Sequence, residues 1–167
     1  MKGKKAQHHL RLGSGANESN KLASFIEQIC DDYHIYDAYF GNILATNTLL
    51  AELFFEKTKT RNAHIDVFFH TSPSGMYFTM RLYESFLNIA GYFEKVKDMD
   101  ADDPEAFTGE WRQAMMIRLM CDQITMEPGE ESIVLVFHIT GINDALTNQR
   151  IELLHKYFAS INQKVTF

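Results

Sequence analysis

The stretch YFGNILATNTLLAELFFEK, from Tyr39 to Lys57, limits the possible folds more than any other part of the chain. Phe40, Ile43, Leu44, Ala51 and Phe54 recur at three- and four-residue spacing, which places them on one face of a helix. Leu49 and Leu53, also one turn apart, point to another side and are just as apolar. A surface helix needs one apolar face, so a second one demands an explanation.

On either side of this helix the pattern changes period. HHLRL, from His8 to Leu12, alternates enough to be a short strand. GSGANESN follows, rich in turn formers, and Ser19 or Asn20 is placed to cap a helix. That helix, LASFIEQICDDY, sets Leu22, Phe25, Ile26, Ile29 and Cys30 on one stripe. HIDVFFH, from His64 to His70, is β-branched and aromatic, and the turn SPSG joins it to a second strand, MYFTMRLYE, as an antiparallel hairpin. From Ser85 to Thr108 the pattern weakens, and the acidic run KDMDADDPEAF reads as a loop or mobile lid.

WRQAMMIRLMCDQITM reads as one helix, with Ala114, Ile117, Met120, Cys121 and Ile124 inward. PGEE is a turn. SIVLVFHIT is nearly continuous in apolar residues, as a central strand of a sheet is. NDALTNQRIELLHKYFASI carries Ile151, Leu154, Phe158 and Ile161 at helical spacing and predicts a C-terminal helix. The order β-α-α-β-β-(lid)-α-β-α predicts an α+β fold: a two-layer α/β sandwich whose mixed, mostly antiparallel sheet is covered on one face by helices. No linker divides the 167 residues, so one domain is expected over 1–167, with its body at 8–140 and the final helix at 144–162.

A net charge of −6 disfavours a general nucleic-acid binder, because phosphate contacts need a basic surface. The basic cluster Lys2, Lys4 and Lys5 reads as a solvated tail. No apolar run approaches the roughly 20 residues that span a bilayer, and the N-terminus lacks the apolar core of a signal peptide. A cytoplasmic protein with no membrane partner is expected. Cys30 and Cys121, each inside an apolar pattern, read as buried small side chains rather than a disulfide or metal ligands.

Direct motifs for chemistry are missing. Asp98, Asp100 and Asp102 are spaced like the start of a calcium loop, but Asp103 stands where glycine is required and Gly109 where a bidentate glutamate is required. The seven histidines show no HExxH arrangement and no zinc spacing with cysteine. GxSxG, GxxxxGK[ST] and GxGxxG do not occur. Ser14 between two glycines follows a strand as a phosphate loop would, yet no lysine supports it and a simple turn is the better reading. No metal, cofactor or catalytic residue is expected from the residues themselves.

The segment FIEQICDDYHIYDAYFGNILATNTLLAE, the strand FTMRLYESF, and WRQAMMIRLMCDQITM followed by a turn and VLVF together resemble, in layout and apolar pattern, the ATP-binding fold of serine-kinase anti-sigma factors. This is the GHKL fold, shared with the ATPase domains of histidine kinases and gyrase. The resemblance spans about Leu10 to Thr140. It implies three nucleotide motifs, and each one departs from the family pattern here. In the family's Glu-x-x-x-Asn helix, the Asn holds Mg²⁺ and the Glu prepares the attacking water or hydroxyl; the matching positions are Leu49 and Leu53. Magnesium requires oxygen ligands, and leucine has none to give. The Asp-x-Gly-x-Gly that receives adenine falls on Leu82, Glu84 and Phe86, bulky where the backbone must approach a ligand. The Gly-x-Gly whose amides cradle phosphate falls on Trp111, Arg112 and Gln113.

All three departures run from polar or glycine toward apolar or bulky residues, and a triphosphate desolvated against leucines would be costly. The resemblance therefore implies an ATPase fold without ATP binding: a non-catalytic regulatory or protein-interaction module, bacterial and of the anti-sigma type. Its expected partner is a sigma factor, an antagonist-like protein or its own copy; the stripe Ile151, Leu154, Phe158 and Ile161 either packs on the same domain or meets that partner. Two other readings stand beside it. One is an ATP-binding serine kinase or ATPase with an atypical site using Glu52, Asn47 or Glu84. The other is a small-ligand sensor using the vacated pocket.

Overall fold

The computed structural model describes residues 8–35, 38–84, 86–100, 102–103, 109–139, 156 and 159. The first strand, β1 (His8–Leu12), leads through a five-residue loop into α1 (Glu18–Asp32). Glu18 closes that loop by accepting the Gly13 amide at 2.8 Å. His34, in the left-handed region at φ 58°, stops α1 without a glycine, as the Ile35 amide reaches back to the Cys30 carbonyl at 2.8 Å. Next come α2 (Ala38–Lys57) and the hairpin β2 (Ile65–Ser72) and β3 (Gly75–Arg81), then α3 (Phe86–Lys97), α4 (Arg112–Met120), β4 (Gln123–Glu127) and β5 (Ser132–Phe137).

The five strands form one sheet in the order β1-β2-β3-β5-β4. Leu10, Val67, Met80, Ile133 and Met126 lie in one row across it. Every pairing is antiparallel, so the expected parallel component does not occur among the described strands. β5 is interior but not central; that place belongs to β3. Gly75 is the one glycine the sheet demands, because a Cβ there would meet the Phe137 carbonyl oxygen at 2.5 Å.

Two elements differ from the sequence reading. The weakly patterned stretch after Ser85 opens with a helix, α3, whose Phe86, Ile89, Phe93 and Val96 are buried. The long helix expected through Met126 ends at Met120. Cys121 turns extended there (φ −114°, ψ 165°), and β4 follows on the edge of β5. Ala114, Ile117 and Cys121 are buried as expected, whereas Met120 and Ile124 are only half-buried. Burial pushes both cysteine thiols up to about 12, and neither is bonded to the other.

The helices α1–α4 cover one face of the sheet. Ile65, Val67 and Phe69 of β2, Met76, Phe78 and Met80 of β3, and Ile133, Leu135 and Phe137 of β5 meet Ile26, Ile29, Phe54, Ile89 and Ile117 in a single hydrocarbon core. α2 packs against α1 and α4 and also reaches α3 and β5. That position accounts for its plural apolar faces, because the central helix of a layer is covered on several sides. Among the described residues no helix is long and apolar enough to cross a membrane. The expected C-terminal stripe, Ile151, Leu154, Phe158 and Ile161, lies outside the described residues.

Candidate functional site

The three motif positions of the sequence reading lie on α2, at the β3–α3 junction and at the start of α4, and α2, α3 and α4 pack on one another. Leu53, Leu82 and Phe86 are 1%, 0% and 4% exposed and belong to the hydrocarbon core. Leu49 is half-buried and packs against the same core. Leu82 is fixed further by its amide, which bonds to the Glu131 carbonyl at 3.0 Å. Leu49, Leu53, Leu82 and Phe86 are thus all part of the hydrocarbon core or packed on it.

The polar positions nearby are occupied by partners from the chain itself. Glu84 accepts hydrogen bonds from the hydroxyls of Thr58 at 2.5 Å and Thr60 at 2.8 Å, which hold its carboxyl below the usual range. This ties the end of α2 to the β3–α3 junction. Trp111 sits against Tyr92 with ring centroids 5.3 Å apart. Lys95 lies 5.6 Å over the Trp111 ring, and Lys57 lies 5.1 Å over that of Tyr92. Gln113 reaches the Glu56 carboxylate at 3.4 Å. Asn47, weighed above as a metal ligand, is fully buried and donates its amide to the Ile43 carbonyl of its own helix at 2.9 Å.

The sequence reading missed a second polar assembly, on the sheet face that the described helices leave open. Asp66 is 2% exposed. Arg11 donates to both of its oxygens, from Nε at 3.1 Å and Nη2 at 3.2 Å. His9 Nε2 lies 2.9 Å from Oδ1, and the Tyr83 hydroxyl donates to Oδ2. Burial alone would raise the Asp66 carboxyl; the bonds from Arg11, Tyr83 and His9 together outweigh it and hold the group well below the usual carboxylate range. Tyr83 reaches Asp66 from a left-handed backbone at φ 54°, a conformation that costs a tyrosine about 1 kcal/mol and needs support from its surroundings.

The signal for this assembly was present in the alternation. In IDVFFH, an aspartate stands between two inward residues, and in HHLRL, His9 and Arg11 share its side of the sheet. Only the β1–β2 register, with Arg11 opposite Asp66, brings the three together. Phe68 continues the face, with the His9 ring stacked on it at 4.5 Å and the Arg81 guanidinium 5.9 Å above it. His70 and Tyr77 stack in parallel at 4.9 Å.

The GSG segment bends into a turn at Ala16 and Asn17, where the Glu18 amide bonds to the Gly15 carbonyl at 3.1 Å. A Cβ on Gly13 or Gly15 would meet nothing closer than 3.8 Å, so neither glycine is required for close approach. The first residue of α1 is itself a carboxylate, which takes the amide an anion would need. No protein-family model matches this sequence, and no curated protein matches it.

Proposed function

We propose that the chain is a non-catalytic regulatory module on an ATPase-like fold of the anti-sigma type, working through protein contacts rather than nucleotide turnover. The layout supports this reading: a strand, two helices, an antiparallel hairpin and a later helix leading to the last strands, all in one sheet with helices on one face. The observation that carries the loss of nucleotide binding is the burial of Leu53, Leu82 and Phe86 at the positions of the metal and adenine motifs. To admit a nucleotide there, the chain would have to open its core and leave phosphate charge against hydrocarbon.

The atypical-ATPase reading has less support: Glu84 accepts from Thr58 and Thr60, Asn47 is fully buried within the helical layer, and Glu52 is exposed. A sensor using the vacated pocket is likewise disfavoured, because packed side chains occupy the place of that pocket. The partner proposed is a sigma factor, an antagonist-like protein or a second copy.

Thermal melting with magnesium and ATP or ADP tests the central claim. A nucleotide at 100 times its Kd stabilises a fold by about 2.7 kcal/mol. The expected result is an unchanged melting temperature at millimolar nucleotide. A saturable rise would overturn the proposal.

A further inference from the structure

α2 also presents a face toward α1 and the β1–α1 loop. Thr48, Glu52, Phe55 and Glu56 lie on it; Thr48 and Phe55 are about a third of a turn from Leu49, whereas Glu56, seven residues on, is almost in line with it. This face, the β1–α1 loop and the first turns of α1 enclose a cleft of about 340 Å³. That volume falls near the lower end for small-molecule sites. Leu12, Leu22, Ala51 and Phe55 supply apolar walls.

Charge in the cleft has one sign. Glu18, Glu52 and Glu56 line it, and no lysine, arginine or histidine does. Glu18 is already engaged by the Gly13 amide and by Lys21 at 2.9 Å. Glu52 and Glu56 are exposed on the α2 side. An apolar enclosure rimmed by carboxylates repels phosphates and carboxylic acids and favours a cation whose body prefers hydrocarbon to water.

We propose that this cleft binds a small organic amine with an aromatic body, the ring lying against Leu12, Leu22 and Phe55 and the ammonium reaching Glu52 or Glu56. This site adjoins the nucleotide positions, since Gln113 reaches Glu56 at 3.4 Å, but it does not depend on the function proposed above.

The test uses the full chain and 2-phenylethylamine as probe, followed by calorimetry and by amide chemical shifts. 2-Phenylethanol and 3-phenylpropanoate serve as neutral and anionic controls. The expected result is saturable amine binding, with shifts centred on Leu12–Leu22 and Thr48–Glu56. The alcohol should bind at least about tenfold more weakly, a difference of roughly 1.4 kcal/mol, and the acid should not bind. The double variant Glu52→Gln/Glu56→Gln, altered only at exposed helical positions, should weaken the amine by a similar factor. Equal binding of alcohol and amine would overturn the proposal, as would undiminished affinity in the double variant. So would shifts elsewhere, or no binding of the amine at about 10 mM.

Discussion

Asp66 and Asn47 are both almost completely buried, on opposite sides of the sheet, and the chain treats them differently. Asp66 faces away from the helices, and its oxygens are engaged by groups from β1 and the β3–α3 junction. Asn47 lies in the helical layer, where, among the described residues, its amide nitrogen bonds only to its own helix and its Oδ1 has no partner. Polarity on the open face is a cross-link between distant segments. Within the helical layer it is a local defect in a hydrocarbon core. If that contrast is sound, stability should respond oppositely to changes at the two sites, and most strongly to new polarity in the core.

The largest effect should come from Leu53→Asn, which restores the polar residue that the ATPase resemblance calls for. It removes a buried leucine and adds an amide with no partner, so the expected loss is about 3–5 kcal/mol. Urea unfolding followed by the fluorescence of Trp111, the only tryptophan, measures it. A loss below about 1 kcal/mol would mean that this part of α2 faces a hydrated space, contrary to its burial.

Sequence reading went furthest where a single period holds. The hairpin was legible because β-branched runs flank SPSG, and α1 because its stripe from Leu22 to Cys30 is unbroken. α3 carries the same signal in Phe86, Ile89, Phe93 and Val96, but Gly91 interrupts it and the acidic run after it drew the whole segment toward a loop. The α4–β4 break lacks glycine or proline altogether. It is set by tertiary pairing, in which the Asp122 amide bonds to the Val136 carbonyl at 2.9 Å and the following residues extend along β5. The candidate nucleotide positions follow from the resemblance in layout, yet their burial depends on how α2, α3 and α4 pack. The Asp66 assembly required the β1–β2 register, which no local pattern specifies.

A smaller effect is expected at Asp66. Asp66→Asn keeps the shape but gives up the charge-assisted bonds, and because Arg11 and His9 are half in water the expected loss is about 2 kcal/mol. The dependence on pH has a definite sign. A carboxyl whose folded value is depressed adds stability that is complete above its unfolded value, about 3.9, and fades as pH falls below that value. The gap between the native chain and Asp66→Asn should therefore be constant from about pH 7 to 5 and shrink below about pH 4. A gap that instead closes on raising the pH would show that Asp66 is not the ionised centre of this assembly.

The smallest effect, and the one of opposite sign, belongs to Asn47→Leu. Leucine keeps the branching at Cγ while removing a carbonyl oxygen that is buried without a partner among the described residues, and it gives up a bond to a carbonyl of the same helix. Relief of the unpaired oxygen, added to a leucine in apolar surroundings, should outweigh that bond, for a gain of about 1 kcal/mol in urea unfolding. Asn47→Ala separates the two contributions. It removes the same oxygen without adding hydrocarbon, and should fall close to neutral because alanine's higher helix propensity offsets the space it leaves. If both variants lose more than about 2 kcal/mol, the Asn47 amide is a structural anchor like Asp66, and the contrast between the two sides of the sheet fails.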